Sequence, residues 1–154
     1  MPANTVPIFS RLGDVASDAA AAQSAALTTN ESASSGFANG ISGTLVFTAD
    51  ATNGGYVKKL RLKARSYADG VNLANNVASV ARVYINNGLT PATAANNHLY
   101  GEISLPATTG IATAAISEID YIMDIALPAG FRVYVGLGTT VAAGWVVTPI
   151  GGKY

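Results

Sequence analysis

Few residues in this chain have the type and spacing needed for chemistry. His98 is the single histidine, set in the polar stretch after Thr90, and an imidazole site needs further ligands or an orienting acid beside it. It reads as an exposed loop residue. There is no cysteine, so thiolate nucleophiles, disulfides and Cys-ligated metals are excluded. The G-x-S-x-G elbow, the phosphate-binding loop, HExxH and the dinucleotide fingerprint do not occur in the sequence. Glu118, Asp120 and Asp124 form the densest acidic group. On a strand, Asp120 and Asp124 would share one face about 13 Å apart, wider than either glycosidase separation. They read as a solvated or partner-pairing face. Asp50 and Asn53 supply too few oxygen donors for a calcium loop and fit a turn better. Neither a cofactor nor a metal is implied, and the expectation is a protein that is not an enzyme.

The strongest charge pattern is basic. Lys59, Arg61, Lys63 and Arg65 alternate with Leu60, Leu62, Ala64 and Ser66, which puts four cations on one face of a strand and apolar or small residues on the other. Such a stripe could meet nucleic acid, a carboxylate-rich surface or water. Nine basic residues balance nine acidic ones, and no aromatic residues interleave the stripe for base stacking, so nucleic acid is not the expected partner. The expectation is that acidic or polar groups match the stripe, with Asp120 and Asp124 the nearest candidates in this chain or in a neighbouring copy.

The elements that must position these residues are strands. From Ile41 onward the hydrophobic period is two, with Gly, Pro and Asn punctuation. Strands are expected at Ile41 to Ala49, Val57 to Ser66, Val77 to Ile85, Leu99 to Leu105, Ile119 to Leu127, Phe131 to Leu137 and Trp145 to Ile150. The first two, joined by Asp50 to Gly55, are expected to pair as a hairpin. Trp145, Phe131 and Leu62 are the expected core. This arrangement predicts an all-β, antiparallel β-sandwich over residues 41–154. Residues 1–40 differ: they are rich in Ala, Ser and Thr and read as an extended, partly helical or irregular N-terminal arm. Asp14 could cap a short helix over Asp18 to Gln23. Val6, Ile8 and Phe9 are its candidate anchors on a neighbouring subunit. With 12% charged residues against the roughly 25% of an ordinary soluble domain, the surface must be largely small and neutral, as suits a protein lying against other protein. The start of the chain lacks a cationic region followed by an apolar one, and no apolar run approaches bilayer length. Synthesis in a cytoplasm is the expectation, with no membrane partner.

The Ala/Ser arm, the neutral Thr/Asn/Ala loops and the terminal pattern from Phe131-Arg132-Val133-Tyr134-Val135-Gly136-Leu137-Gly138 to Ala143-Gly144-Trp145-Val146-Val147-Thr148 resemble small structural proteins of tailed bacteriophages, closest in style to head decoration, or cement, proteins. The resemblance covers about Ile41 to Tyr154 in style and element order and carries over no functional residue. It implies a jelly-roll-like fold, self-association with a homotrimer favoured, and binding to the major capsid protein on the capsid exterior of the virion. A tail or fibre module that binds a host-surface glycan through exposed Tyr and Asn side chains would share the same style.

Overall fold

A computed structural model describes Leu27, residues 43–67 and residues 72–154. Among these the protein is all-β, with seven strands: β1 (Thr44–Thr48), β2 (Gly55–Ala64), β3 (Ser79–Asn86), β4 (Asn97–Leu105), β5 (Glu118–Leu127), β6 (Arg132–Leu137) and β7 (Trp145–Lys153). They form a four-stranded sheet in the order β1-β6-β3-β4 and a three-stranded sheet in the order β5-β2-β7, with every pairing antiparallel. The expected sandwich is present. Its arm lies outside the described residues except at Leu27, and so do Val6, Ile8, Phe9 and the conditional helix.

The alternation in β2 explains the layering. Leu60, Leu62 and Ala64 are buried, whereas Lys59, Arg61 and Lys63 are not, so one face packs inward and the other stays wet. Val133, Val135 and Leu137 of β6, Ala81 and Val83 of β3, and Val147 of β7 close the core from both sheets. Trp145 is fully buried. Its aromatic area at the start of β7 anchors the three-stranded sheet, as burial of about 150–250 Å² per large ring would do. Leu62 is buried as expected, but Phe131 is only half-buried, because it lies in the turn before β6 and packs on the rim of the core.

Bulges re-aim several strands. In β1 the register slips between Leu45 and Phe47, which turns both Val46 and Phe47 into the core. A slip in β4 against β3 frees Tyr100 to cross the sandwich, donate its hydroxyl to the Met123 carbonyl at 3.0 Å and meet Tyr121 edge-on. Along one line across the three-stranded sheet, no residue of β7, one of β2 (Lys58) and two of β5 (Met123 and Asp124) separate matching pairs. Each extra residue bends its strand and sharpens the twist. On the outward face of the four-stranded sheet, Leu45, Tyr134, Tyr84 and Leu99 stand in register across all four strands, and both tyrosines are buried.

The expected hairpin of the first two strands does not form. β1 and β2 belong to different sheets. Ala49 donates its N–H to the Phe131 carbonyl, and the Asp50 carbonyl accepts from Gly130. The end of β1 is therefore committed to the β6 side before the Asp50–Gly54 turn closes and delivers the chain to the opposite layer. Gly54 has φ +89°, and a Cβ there would collide with the Leu127 carbonyl oxygen, so the turn requires glycine. Only β3 and β4 join as neighbours in one sheet; the other five connections pass between sheets. Val77, expected to begin the third strand, lies before it and is 54% exposed, because β3 starts two residues later, at Ser79.

Candidate assembly surface

The outer face of the three-stranded sheet brings together Lys59, Arg61, Lys63, Glu118 and Asp120. Antiparallel pairing sets Arg61 directly opposite Asp120 and Lys63 opposite Glu118, the distance at which cross-strand side chains interact. Arg61 grips Asp120 with two prongs, Nε to Oδ1 at 2.9 Å and Nη2 to Oδ2 at 3.1 Å. Lys59 Nζ reaches the same carboxylate at 2.5 Å. Glu118 lies 3.3 Å from Arg61 Nε and 3.7 Å from Lys63 Nζ, and Lys63 also donates to the Ile116 carbonyl at 2.7 Å. Hydrogen bonds from Arg61 and then Lys59 hold the Asp120 carboxyl well below the usual carboxylate range, and Asp120 in turn raises the Arg61 guanidinium.

Three of the four stripe residues are thus matched within the chain. Arg65 departs from the pattern: it lies past the end of β2, its backbone N–H donates to the Gly144 carbonyl, and among the described residues no ion pair involves it. Asp124, the second expected partner, does not join the ladder. It is one of the two β5 residues in the bulge, with φ +52°, and accepts a hydrogen bond from the Tyr56 hydroxyl, which pushes that phenol up. Glu118 takes the place expected of Asp124. Ile122 stands between Asp120 and Asp124 and is 61% exposed, an apolar spot with ion pairs on the Asp120 side and the Tyr56–Asp124 hydrogen bond on the other.

Two polar clusters carried no sequence signal that was read. Arg82 of β3 pairs with Glu102 of β4 at 2.8 Å on the outward face of the other sheet; the period-two alternation of β3 already placed Arg82 outward. Asn76 is only 2% exposed and ties three loops at one end of the sandwich. Its side-chain amide donates to Thr108 Oγ1 and the Gly144 carbonyl, and its Oδ1 accepts from the N–H groups of Ala143 and Gly144. In sequence it is one Asn among many. His98 is exposed, and among the described residues no group of three or more His, Cys, Asp or Glu is placed to hold a metal. None of the described helical residues makes a span long and apolar enough to cross a membrane.

The arm meets the domain at one described point. Leu27 N–H donates to the Trp145 carbonyl at 2.8 Å, and Trp145 N–H donates back to the Leu27 carbonyl at 3.1 Å. This antiparallel bridge lies on the edge of β7 away from β2, and the Leu27 side chain packs on the core. Among the described residues the buried Trp145 indole N–H has no acceptor.

No protein-family model, curated protein or solved structure matches the chain.

Proposed function

We propose that this protein is a non-enzymatic structural component of a bacteriophage virion, a decoration protein that binds the major capsid protein on the outside of the assembled shell and acts as a homo-oligomer, with a trimer the favoured state. The observation that carries this reading is the reciprocal Leu27–Trp145 bridge. It ties the Ala/Ser-rich arm to the sandwich at Leu27, and on this reading Val6, Ile8 and Phe9 dock on a neighbour. The ladder of Lys59, Arg61 and Lys63 with Glu118 and Asp120 supports a protein surface over nucleic acid, since these cations are already matched and release few counterions. A cement protein works by mass action: it binds the assembled lattice and not its free subunits, and so deepens the stability of the shell.

The test is binding of the purified protein to shells assembled without it, read by co-sedimentation. Deleting residues 1–18, which leaves Leu27 in place, is expected to preserve the fold and weaken binding about 10- to 100-fold, the loss of one or two buried anchors. Undiminished binding overturns the role of the arm. Binding to a host glycan without affinity for shells would replace the reading with that of a tail or fibre module; Trp145 is fully buried and would not be its stacking residue.

A further inference from the structure

We infer that the end of the sandwich held by Asn76 is where copies of this chain meet, each copy offering the same end to the other. The inference rests on the homo-oligomer reading above and supplies its surface. Residues 72–78, 106–117 and 138–144 make up the loops of this end, and they contain no Asp, Glu, Lys, Arg or His. The two sheet faces, by contrast, carry the Lys59–Asp120 ladder and the Arg82–Glu102 pair, and Asp50 and Lys153 lie at the far end. Three of the five large hydrophobic side chains exposed among the described residues belong to the uncharged end: Leu73 at 51%, Ile111 at 39%, and Val77. A single aliphatic on a surface needs no explanation, but three at one uncharged end mark a contact.

Two segments carry these side chains next to each other. Asn76 and Thr108 form an isolated antiparallel bridge, and the Gly110 N–H donates to Asn75 Oδ1 at 2.9 Å. Gly110 lies so near Ala74 that a Cβ would stand 2.5 Å from the Ala74 carbonyl oxygen. Asn76 and Thr108 are buried, whereas Leu73, Asn75 and Val77 on one segment and Thr109 and Ile111 on the other are exposed. Asn76 also fixes this platform to the third loop through the N–H groups of Ala143 and Gly144. A surface held in place before contact loses less conformational freedom on binding.

The chemistry of the platform selects a second copy as its occupant. It has no charge for a partner to match, and the cores of homo-oligomer interfaces are apolar and depleted in charge. The Asn75 amide is oriented by Gly110: its Oδ1 takes that N–H, and among the described residues nothing accepts from its Nδ2. In another copy the same Oδ1 has a lone pair to spare, so Asn75 can both give and take between copies. Arg65, whose N–H donates to the Gly144 carbonyl, and Glu118 at the start of β5 border the end and supply the polar rim of such a contact. The three loops offer surface residues on the order of the 20–30 a side that a stable interface uses.

The test is sedimentation of the full-length protein over a range of concentrations, where the wild type is expected to associate reversibly. Leu73→Lys with Ile111→Lys should move association to a concentration at least about 100-fold higher, since like charges replace two anchors. Leu73→Glu with Ile111→Glu should do the same, and mixing the two double variants should restore association. Leu89→Lys, at a site 60% exposed in the turn between β3 and β4 at the far end, should change nothing. If a double variant does not keep the wild-type far-UV circular dichroism, Asn75→Asp takes its place: it retains an acceptor for Gly110, loses the donor and should weaken association about tenfold. A monomeric wild type, or association indifferent to these substitutions, would overturn the inference. So would double variants that self-associate normally but no longer co-sediment with shells, because the end would then belong to the capsid. Shell binding is scored in its own assay, so the decoration reading and this contact can fail separately.

Discussion

The Asn76 cluster and the Lys59–Arg61–Lys63 ladder tie together distant parts of the chain by opposite means. The ladder spends three cations and two carboxylates on an exposed sheet face, where water already solvates every partner and salt screens what remains. Asn76 is one neutral side chain that makes four hydrogen bonds in a site closed to water. Each of its partners faces the full cost of desolvation if left alone. The comparison teaches that in this fold stability follows burial of the polar group and not its charge. The charges set the character of a surface; the amide holds three loops in place.

Replacing Asn76 with Ala should give the largest effect. It strands the N–H groups of Ala143 and Gly144, both buried, and is expected to cost about 3–5 kcal/mol, read by chemical denaturation. A loss under about 1 kcal/mol would mean that water replaces the amide and would erase the contrast. The charge reversal Arg61→Glu with Lys63→Glu comes next, because it sets new carboxylates against Asp120 and Glu118. Its drop in melting temperature should be restored in part by Asp120→Lys with Glu118→Lys and not by Asp124→Lys, since Asp124 is held by Tyr56. Thr108→Val removes a single bond to Asn76 and is expected to cost about 1 kcal/mol.

Asp120→Asn should have the smallest effect, and its pH dependence is diagnostic. The folded-state carboxyl titrates below its unfolded value. Its contribution is therefore full above the unfolded pKa of about 3.9 and is lost as pH falls through the lower folded value. The stability gap between the wild-type protein and Asp120→Asn should be constant above about pH 5 and shrink below about pH 4. A gap that is independent of pH would show that Asp120 acts through packing alone.

The two clusters also differ in how far the sequence announces them. Lys59, Arg61 and Lys63 alternate with buried residues, so their shared face was legible from period alone, as was the all-β class. The partner was only half legible. Asp120 was identified, but the choice of Glu118 over Asp124 depends on a bulge with positive φ at Asp124, and no local residue type signals that slip. The misread hairpin has a similar cause. Asp50 to Gly55 has the composition of a tight turn, and a turn is present, yet whether its flanking strands share a sheet is decided by β6, more than 80 residues away. Asn76 was invisible for a different reason: its partners come from two other loops, more than 30 residues away, so nothing near it in sequence distinguishes it from Asn72 or Asn75.

The passage of five connections between sheets sets the tempo of folding. Thr44 pairs with Val135 and Ala64 with Trp145, separations of 91 and 81 residues. Neither sheet can be completed by zipping outward from a local nucleus, and the entropy of closing those loops is spent before most native pairs form. The β3–β4 hairpin is the one element able to form early. Folding is thus expected over milliseconds to seconds, not microseconds, and during that interval the strand edges that the finished sandwich protects stand open to other nascent chains.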